Sequence, residues 1–237
     1  MSSCSSSRTM MKIFVLHYSK LTHRKKYILE QFKRHGITDY EFIEKFDKDA
    51  ITDDECPEFT QEYVTQRRAE LSLHLKHLYL YRLMVSENYS EVLVFEDDVV
   101  LSDGFMKNLA KYMRQTPTDY DMLFIGDGCK LHIPRNQLVA NKYIYAKCLH
   151  ETAWGGNGAA RCTDSYIIHQ RCAKKLCDYA AAAAGDSGAA LDKTKKIDIP
   201  VDWWLNKAAR ELVLKVYWAE PTIVTQGSQN GLFTRSI

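Results

Sequence analysis

No stretch of this chain approaches the roughly 20 consecutive apolar residues that a bilayer-spanning helix requires, so no membrane span is expected. It has no G-x-x-x-x-G-K-[ST] run, which removes a P-loop nucleotidase. No G-x-G-x-x-G follows the first apolar run, and that argues against a dinucleotide oxidoreductase. A G-x-S-x-G elbow is also missing, so an α/β-hydrolase would lack its nucleophile. The seven cysteines are odd in number and form no C-x-x-C pair, which suggests neither a zinc module nor a disulfide framework. Charge of one sign is lacking too. A formal net charge of +2 gives no electrostatic case for nucleic acid or an anionic membrane. The Ser-rich residues 1–10 lack the apolar core of a signal peptide. They are expected to be a disordered tail ahead of a domain over 11–237, in a cytoplasmic protein.

What is present is an ordinary globular composition, 46% hydrophobic and 26% charged over 237 residues, enough for one large α/β domain. Lys12 to His17 reads as a buried strand, and a helix runs from Thr22, its expected N-cap, to Gly36. Tyr40 to Phe46 alternates as a second strand, so the chain opens β-α-β, the unit of a parallel sheet. A long amphipathic helix is expected from Tyr63 to about Asn88, then a strand at Glu91 to Phe95 and a helix at Phe105 to Arg114. Asp121 to Gly126 is a further strand and Tyr143 to Ala146 an edge strand. Ser165 to His169 is a strand and Gln170 to Tyr179 a helix. That helix extends into the Ala-rich Ala180 to Ala190, whose second half reads as a flexible loop. Pro200 to Leu205 opens another helix with Asp202 as N-cap. Leu212 to Trp218 and Glu220 to Gln226 read as the last strands.

The strand Val92 to Phe95 runs straight into Glu96, Asp97 and Asp98. In open α/β sheets, ligands bind outside the carboxyl ends of strands, and clustered carboxylates hold hard divalent cations. Alternation along an extended chain points Glu96 and Asp98 one way and Asp97 the other. This assigns Asp98 to a metal, Glu96 to a supporting role on it, and leaves Asp97 ambiguous. A solvated acidic turn is the alternative.

The order of the remaining motifs resembles glycosyltransferase family 25, the lipopolysaccharide-type and procollagen galactosyltransferases. Met11 to Lys26 is similar to the family's opening strand, polar turn and arginine-containing helix. Glu70-Leu-Ser-Leu-His-Leu-Lys-His77 resembles its G-E-[IV]-[GS]-C-x-L-S-H helix, with departures at Ala69, Leu73 and Lys76. Val92 to Val99 resembles L-V-L-E-D-D-[VI], and Ser165 to Leu176 resembles Y-[LI]-I-S-x-x-G-A-x-K-L, departing at His169. Ile199 to Leu205 resembles P-V-D-x-x-[LM], and Pro221 to Ser228 the closing P-x-[IL]-[VF]-x-Q. The resemblance implies a GT-A-like single domain with a Rossmann-like mixed central sheet flanked by helices. It also implies a UDP-sugar donor, most often UDP-galactose, Mn²⁺ (or Mg²⁺), and inversion at the anomeric carbon. A nucleotide-sugar-binding half over 11–130 and an acceptor-binding half over 131–237 are expected, with a saccharide or glycoprotein as acceptor.

Other residues carry chemistry with a plainer reading beside it. Arg24 follows the first strand where a nucleotide would lie, and guanidinium pairs well with phosphate; a solvated helix start is the rival. His17 and Tyr18 are candidates for a uracil pocket, against a satisfied core histidine. Glu70 and His77 lie two helical turns apart and would order the donor site, or merely pack. Asp202 is the candidate general base, since inverting transfer must remove the acceptor hydroxyl proton; an N-cap is its alternative role. Gln226 is a late polar contact to metal or diphosphate. A Mg²⁺-dependent phosphohydrolase or nucleotidyltransferase, and an inactive glycan-binding module, are the competing functions. Oligomeric state is not legible.

Overall fold

The computed structural model describes residues 11–150, 154–156, 158–184 and 196–234. The expected tail over 1–10 and the expected loop after Ala184 lie outside the described residues. In chain order the structure runs β1 (Lys12–Leu16), α1 (Thr22–His35), β2 (Tyr40–Ile43), α2 (Gln61–Gln66), α3 (Arg68–Ser86), β3 (Glu91–Glu96) and β4 (Val99–Leu101). It continues with α4 (Phe105–Gln115), β5 (Met122–Phe124), β6 (Ile144–Ala146), β7 (Ser165–His169) and α5 (Gln170–Ala184). The last elements are α6 (Val201–Glu211), β8 (Val216–Ala219), β9 (Val224–Gln226) and the short α7 (Gly227–Asn230).

Seven strands form one mixed sheet in the order β2-β1-β3-β7-β5-β8-β6, so the Rossmann-like mixed sheet flanked by helices is present. β1 pairs in parallel with β2 and β3, while β7 is antiparallel to both β3 and β5. β7 comes late in the chain yet sits between two early strands, so the halves 11–130 and 131–237 share one sheet. Strand alternation divides the core in two. Ile13 and Val15 of β1, with Leu93 and Phe95 of β3, face α1 and α4. Phe14 and Leu16, with Val92 and Val94, face α3, α5 and α6. Among the described residues no helix is long and apolar enough to cross a membrane.

Several boundaries differ from the sequence pattern for local reasons. The long helix from Tyr63 breaks at Arg67, whose φ of −122° and ψ of 41° close α2 and open α3. Apolar spacing continues through that break, which is why the pattern hides it. Thr22 is the first helical residue, not the cap. Leu21 holds the cap position and its carbonyl accepts the Arg24 and Lys25 N–H groups. Gly36 does close α1 in the left-handed conformation, at φ 67°. Asp202 likewise is not an N-cap: Pro200 holds that position and Asp202 lies in the first turn of α6. The strand expected over Leu212 to Trp218 is delayed by a turn with Val213 at φ 50°, and forms at Val216–Ala219 instead.

A second, two-stranded ribbon pairs β4 with β9 and carries the acid triplet's turn. Its outer edge would expose backbone groups, and an uncovered edge is a liability. Gln31 of α1, itself buried, closes it: its amide donates to the Val99 carbonyl at 2.8 Å and accepts from the Leu101 N–H at 2.7 Å. Gln31→Leu should therefore leave both backbone groups unpaired in buried ground. The expected loss is about 2–4 kcal/mol of stability, read as a lower urea midpoint with an unchanged slope.

Candidate functional site

A cavity of about 330 Å³ opens at the carboxyl ends of β1 and β3, within the ~300–1,000 Å³ range of small-molecule sites. It is lined by His17, Tyr18 and Arg24 on one side, by Glu96, Asp97 and Asp98 on the floor, and by Gln226, Ser228 and Gln229 at the far edge. Ala69, Ser72, Leu73 and Lys76 of α3 complete it. Both the early and late parts of the chain thus contribute.

Asp97 and Asp98 sit in a two-residue turn between β3 and β4, not on extended chain. Neighbouring acids in this turn nonetheless have opposite environments. Asp97 is saturated: it accepts from Arg24 Nη1 at 2.8 Å, His17 Nδ1 at 2.9 Å and the Tyr18 N–H at 3.2 Å. Burial pushes its carboxyl up, but the hydrogen bonds from His17 and Arg24 outweigh burial and hold it below its ordinary value. An ionised Asp97 can only accept, so Nδ1 of His17 carries the proton. Asp98 is only 4% exposed, yet its Oδ1 has no hydrogen-bond partner among the described residues. Burial raises it, opposed by the Ser228 hydrogen bonds. Burial also raises Glu96 well above its ordinary value, with the Asp98 charge adding to the shift. Thr163 donates to Glu96 Oε1 at 2.6 Å. Gln226 presents a second buried oxygen without a partner among the described residues.

Arg24 is less free than its position in the sequence implied. Besides Asp97 it donates through Nη2 to the Thr234 carbonyl at 2.8 Å, and its guanidinium lies 5.3 Å from the Phe233 ring centre. It lines the cavity, but its forks are committed to tying β3 and the C-terminal segment to α1. Tyr18 donates its hydroxyl to Asp49, which also takes Lys20 at 2.6 Å.

Glu70 and His77 are not brought to one pocket. His77 is fully buried, with Nδ1 2.7 Å from the Tyr166 hydroxyl, and burial drives its pKa down to about 3. It does not line the cavity; it is a neutral packing imidazole between α3 and β7. Glu70 instead takes a two-pronged bond from Arg67, at 2.8 and 3.0 Å. Asp202 is half-buried and accepts the Trp203 N–H at 3.0 Å. Burial raises its pKa, and the Glu70 charge pushes the same way. Beyond these two acids a second cleft, about 670 Å³, is lined by Thr60, Tyr63, Gln66, Arg67, Asp198 and a half-exposed Trp203, among others.

Two polar residues had no place in the sequence pattern, Asp164 and Thr163, and a third, Lys76, stood there only as a departure from the motif. Asp164 is fully buried before β7, and burial pushes it up to about 8. It fills the space left by Gly126, where a Cβ would lie 1.9 Å from its Oδ2. Thr163 beside it is the donor to Glu96. Lys76, 3% exposed, donates to Asp47 at 2.8 Å and to the Lys45 carbonyl at 2.7 Å. A lysine set four residues after Ser72 on an apolar helix stripe was the signal for it.

A divalent cation is implied only by the family resemblance. Among the described residues no group of three or more His, Cys, Asp or Glu side chains is assembled as a metal centre. The unpaired oxygens of Asp98 and Gln226 still fit a hard cation that takes its other ligands from phosphate and water.

Comparison with known proteins bears on this geometry. Residues 10–194 match the family model described as "Glycosyltransferase family 25 (LPS biosynthesis protein)". A curated protein of Acanthamoeba polyphaga mimivirus, named "Putative glycosyltransferase R655", is 25% identical over 120 residues. That match takes in 49% of this chain but 37% of the relative, so the chain spans well under half of its length. A solved structure described as a glycosyltransferase involved in the glycosylation of the major capsid of PBCV-1 aligns over 94% of this chain and 99% of that one. It shares 11% identity, with a TM-score of 0.43. The family match runs from before β1 to beyond α5 and takes in the acid turn, α3 and β7; the chain belongs to glycosyltransferase family 25.

Proposed function

We propose that this chain is a metal-dependent, inverting glycosyltransferase that moves a hexose, galactose in the simplest case, from a UDP-sugar to a saccharide or glycoprotein acceptor. The observation that carries the reading is Asp98: a buried carboxylate with an unpaired oxygen, facing a cavity that Arg24, Lys48 and Lys76 also line. Burying such a group without compensation is costly, and cations in the same lining suit a diphosphate. Asp98, supported by Glu96 and Gln226, would hold the cation, which neutralises charge on the departing diphosphate when bound. His17 and Tyr18 flank the uracil end of the donor pocket. Asp97 serves by holding Arg24 and the turn in place.

The acceptor lies in the second cleft, with its sugar ring against the exposed face of Trp203; indole offers a large apolar face with a polar edge. Asp202 and Glu70 line neither cavity themselves; Asp202 precedes the cleft-lining Trp203, and Glu70 follows Ala69 of the first cavity and is held by Arg67 of the second. The acceptor oxygen forms its bond to the anomeric carbon as the carbon–diphosphate bond breaks, and Asp202 takes the hydroxyl proton. A raised carboxylate is the stronger base for this step.

Asp98→Asn keeps the volume and removes the charge. UDP-sugar turnover should fall by about 10²–10³-fold, the scale of losing a group that stabilises developing charge, with thermal unfolding little changed. Unchanged turnover would sink the assignment. Inorganic phosphate released without sugar transfer would instead mark a phosphohydrolase.

The base can be tested separately through pH. Asp202 works only when deprotonated, so kcat/KM should fall as pH drops through its raised pKa, above the ~3.9 of an ordinary aspartate. Asp202→Asn should cost about 10²–10⁴-fold and abolish that acid limb. An acid limb that survives the substitution would move the base elsewhere.

Trp203→Ala should raise the acceptor KM by roughly 2- to 12-fold, the scale of a lost aromatic contact worth ~0.5–1.5 kcal/mol. Donor hydrolysis in the absence of acceptor should be unaffected. Equal acceptor KM values in both proteins would place the acceptor outside this cleft.

A further inference from the structure

Two thiols meet at the rim of the site. Cys129 Sγ and Cys162 Sγ lie 3.3 Å apart, although 33 positions separate them in the chain. Cys129 is exposed and Cys162 half-buried, and both are free. The first sits in the turn after β5 and the second in the loop that leads into β7. Both backbones are left-handed, at φ 53° and φ 52°, a conformation that non-glycine residues rarely adopt. Their approach is fixed by the residue between Asp127 and Cys129: a Cβ on Gly128 would lie 2.2 Å from the Arg161 carbonyl oxygen. Only glycine lets these two segments come so close.

We propose that Cys129 and Cys162 form a redox modification site, a dithiol that a small-molecule disulfide such as oxidised glutathione converts to an intramolecular disulfide. Cys129 attacks first because it is exposed, whereas burial raises the Cys162 thiol and keeps it protonated longer. The Cys129 thiolate bonds to one glutathione sulfur, the glutathione S–S bond breaks, and one glutathione thiolate leaves. Cys162 then gives its proton to solvent and its sulfur attacks Cys129 Sγ, releasing the second glutathione. The protein loses two electrons and two protons, and one disulfide oxidant becomes two thiols. Closing the gap to the ~2.05 Å of a disulfide asks for roughly 1 Å of movement, within the reach of side-chain rotation.

The placement gives the bridge a consequence for the cavity. Cys162 precedes Thr163, the donor to Glu96, and Cys129 Sγ lies 3.9 Å from Nε2 of the cavity-lining Gln229. Oxidation therefore ties together the two segments that flank the acid turn.

The test uses the full chain treated with oxidised glutathione under native conditions, then alkylated, digested and mapped by mass spectrometry. A Cys129–Cys162 cross-linked peptide that dithiothreitol abolishes is the expected result, with an upward shift of several degrees in Tm. Cys162→Ser should stop at a glutathione adduct on Cys129, and Cys129→Ser should yield no bridge. Bridges involving other cysteines, stable adducts on both thiols, or no reaction would each overturn the proposal. None of these readouts depends on sugar transfer.

Discussion

The carboxylate of Asp97 is the constraint around which the site is arranged. A buried carboxylate is tolerated only when charge and lone pairs are met, and here three donors meet it. They come from the end of β1 and the first turn of α1, while the acid itself stands at the end of β3. The pairing therefore locks three elements together at the point where the sheet opens. Arg24 passes the restraint on, through its second fork, to the C-terminal segment at Thr234. Removing either charge would strand the other in buried ground, which is far costlier than never having built the pair.

That one saturated acid makes the next one available. The turn is two residues long, so fixing Asp97 also fixes Asp98, and the donors from His17, Tyr18 and Arg24 that reach the turn go to Asp97. Asp98 keeps an unpaired buried oxygen and an elevated pKa, and its charge helps to raise Glu96. Neighbouring titratable groups whose surroundings push their pKa values apart are a mark of functional sites. In this turn the divergence occurs between adjacent residues. Gln31 completes the arrangement from outside, by closing the edge of the ribbon that continues from the turn.

Sequence patterning was most informative where one interaction period held throughout. Ser165 to His169 reads as a strand to the residue, because five residues bounded by polar ground fit a buried strand and little else. Glu96 to Asp98 stood out because charge directly after an apolar strand is a local signal. Asp164 and Thr163 gave none, since their meeting with Glu96 depends on β7 crossing between β3 and β5, a non-local pairing. His77 misled for a related reason. Its place in a motif-like run marked a helix face, and the face it lies on packs against Tyr166 in the core rather than opening to the cavity. Arg24 does line the cavity, but its position in the sequence gave no sign of its partner, because the nearest unmet charge was Asp97 and not a ligand.

The break at Arg67 ties these observations to the proposed reaction. A continuous helix from Tyr63 onward would have kept one stripe on one side. With the break, Tyr63, Gln66 and Arg67 turn toward the second cleft, while Ala69, Ser72, Leu73 and Lys76 turn toward the donor-side cavity. Glu70 is held by Arg67, and its charge reaches Asp202. A base for displacement must sit between the acceptor oxygen and solvent, close to both substrates but buried enough to stay a strong acceptor of protons. Half-buried Asp202, raised by burial first and then by Glu70, has the proton affinity for that role, and it stands in the first turn of α6 beside the cleft-lining Trp203. On this reading the helix break separates the two substrates, and burial does most to raise Asp202 while the Glu70 charge adds to it: freeing Glu70 from Arg67 would leave that charge less neutralised and push the base somewhat higher.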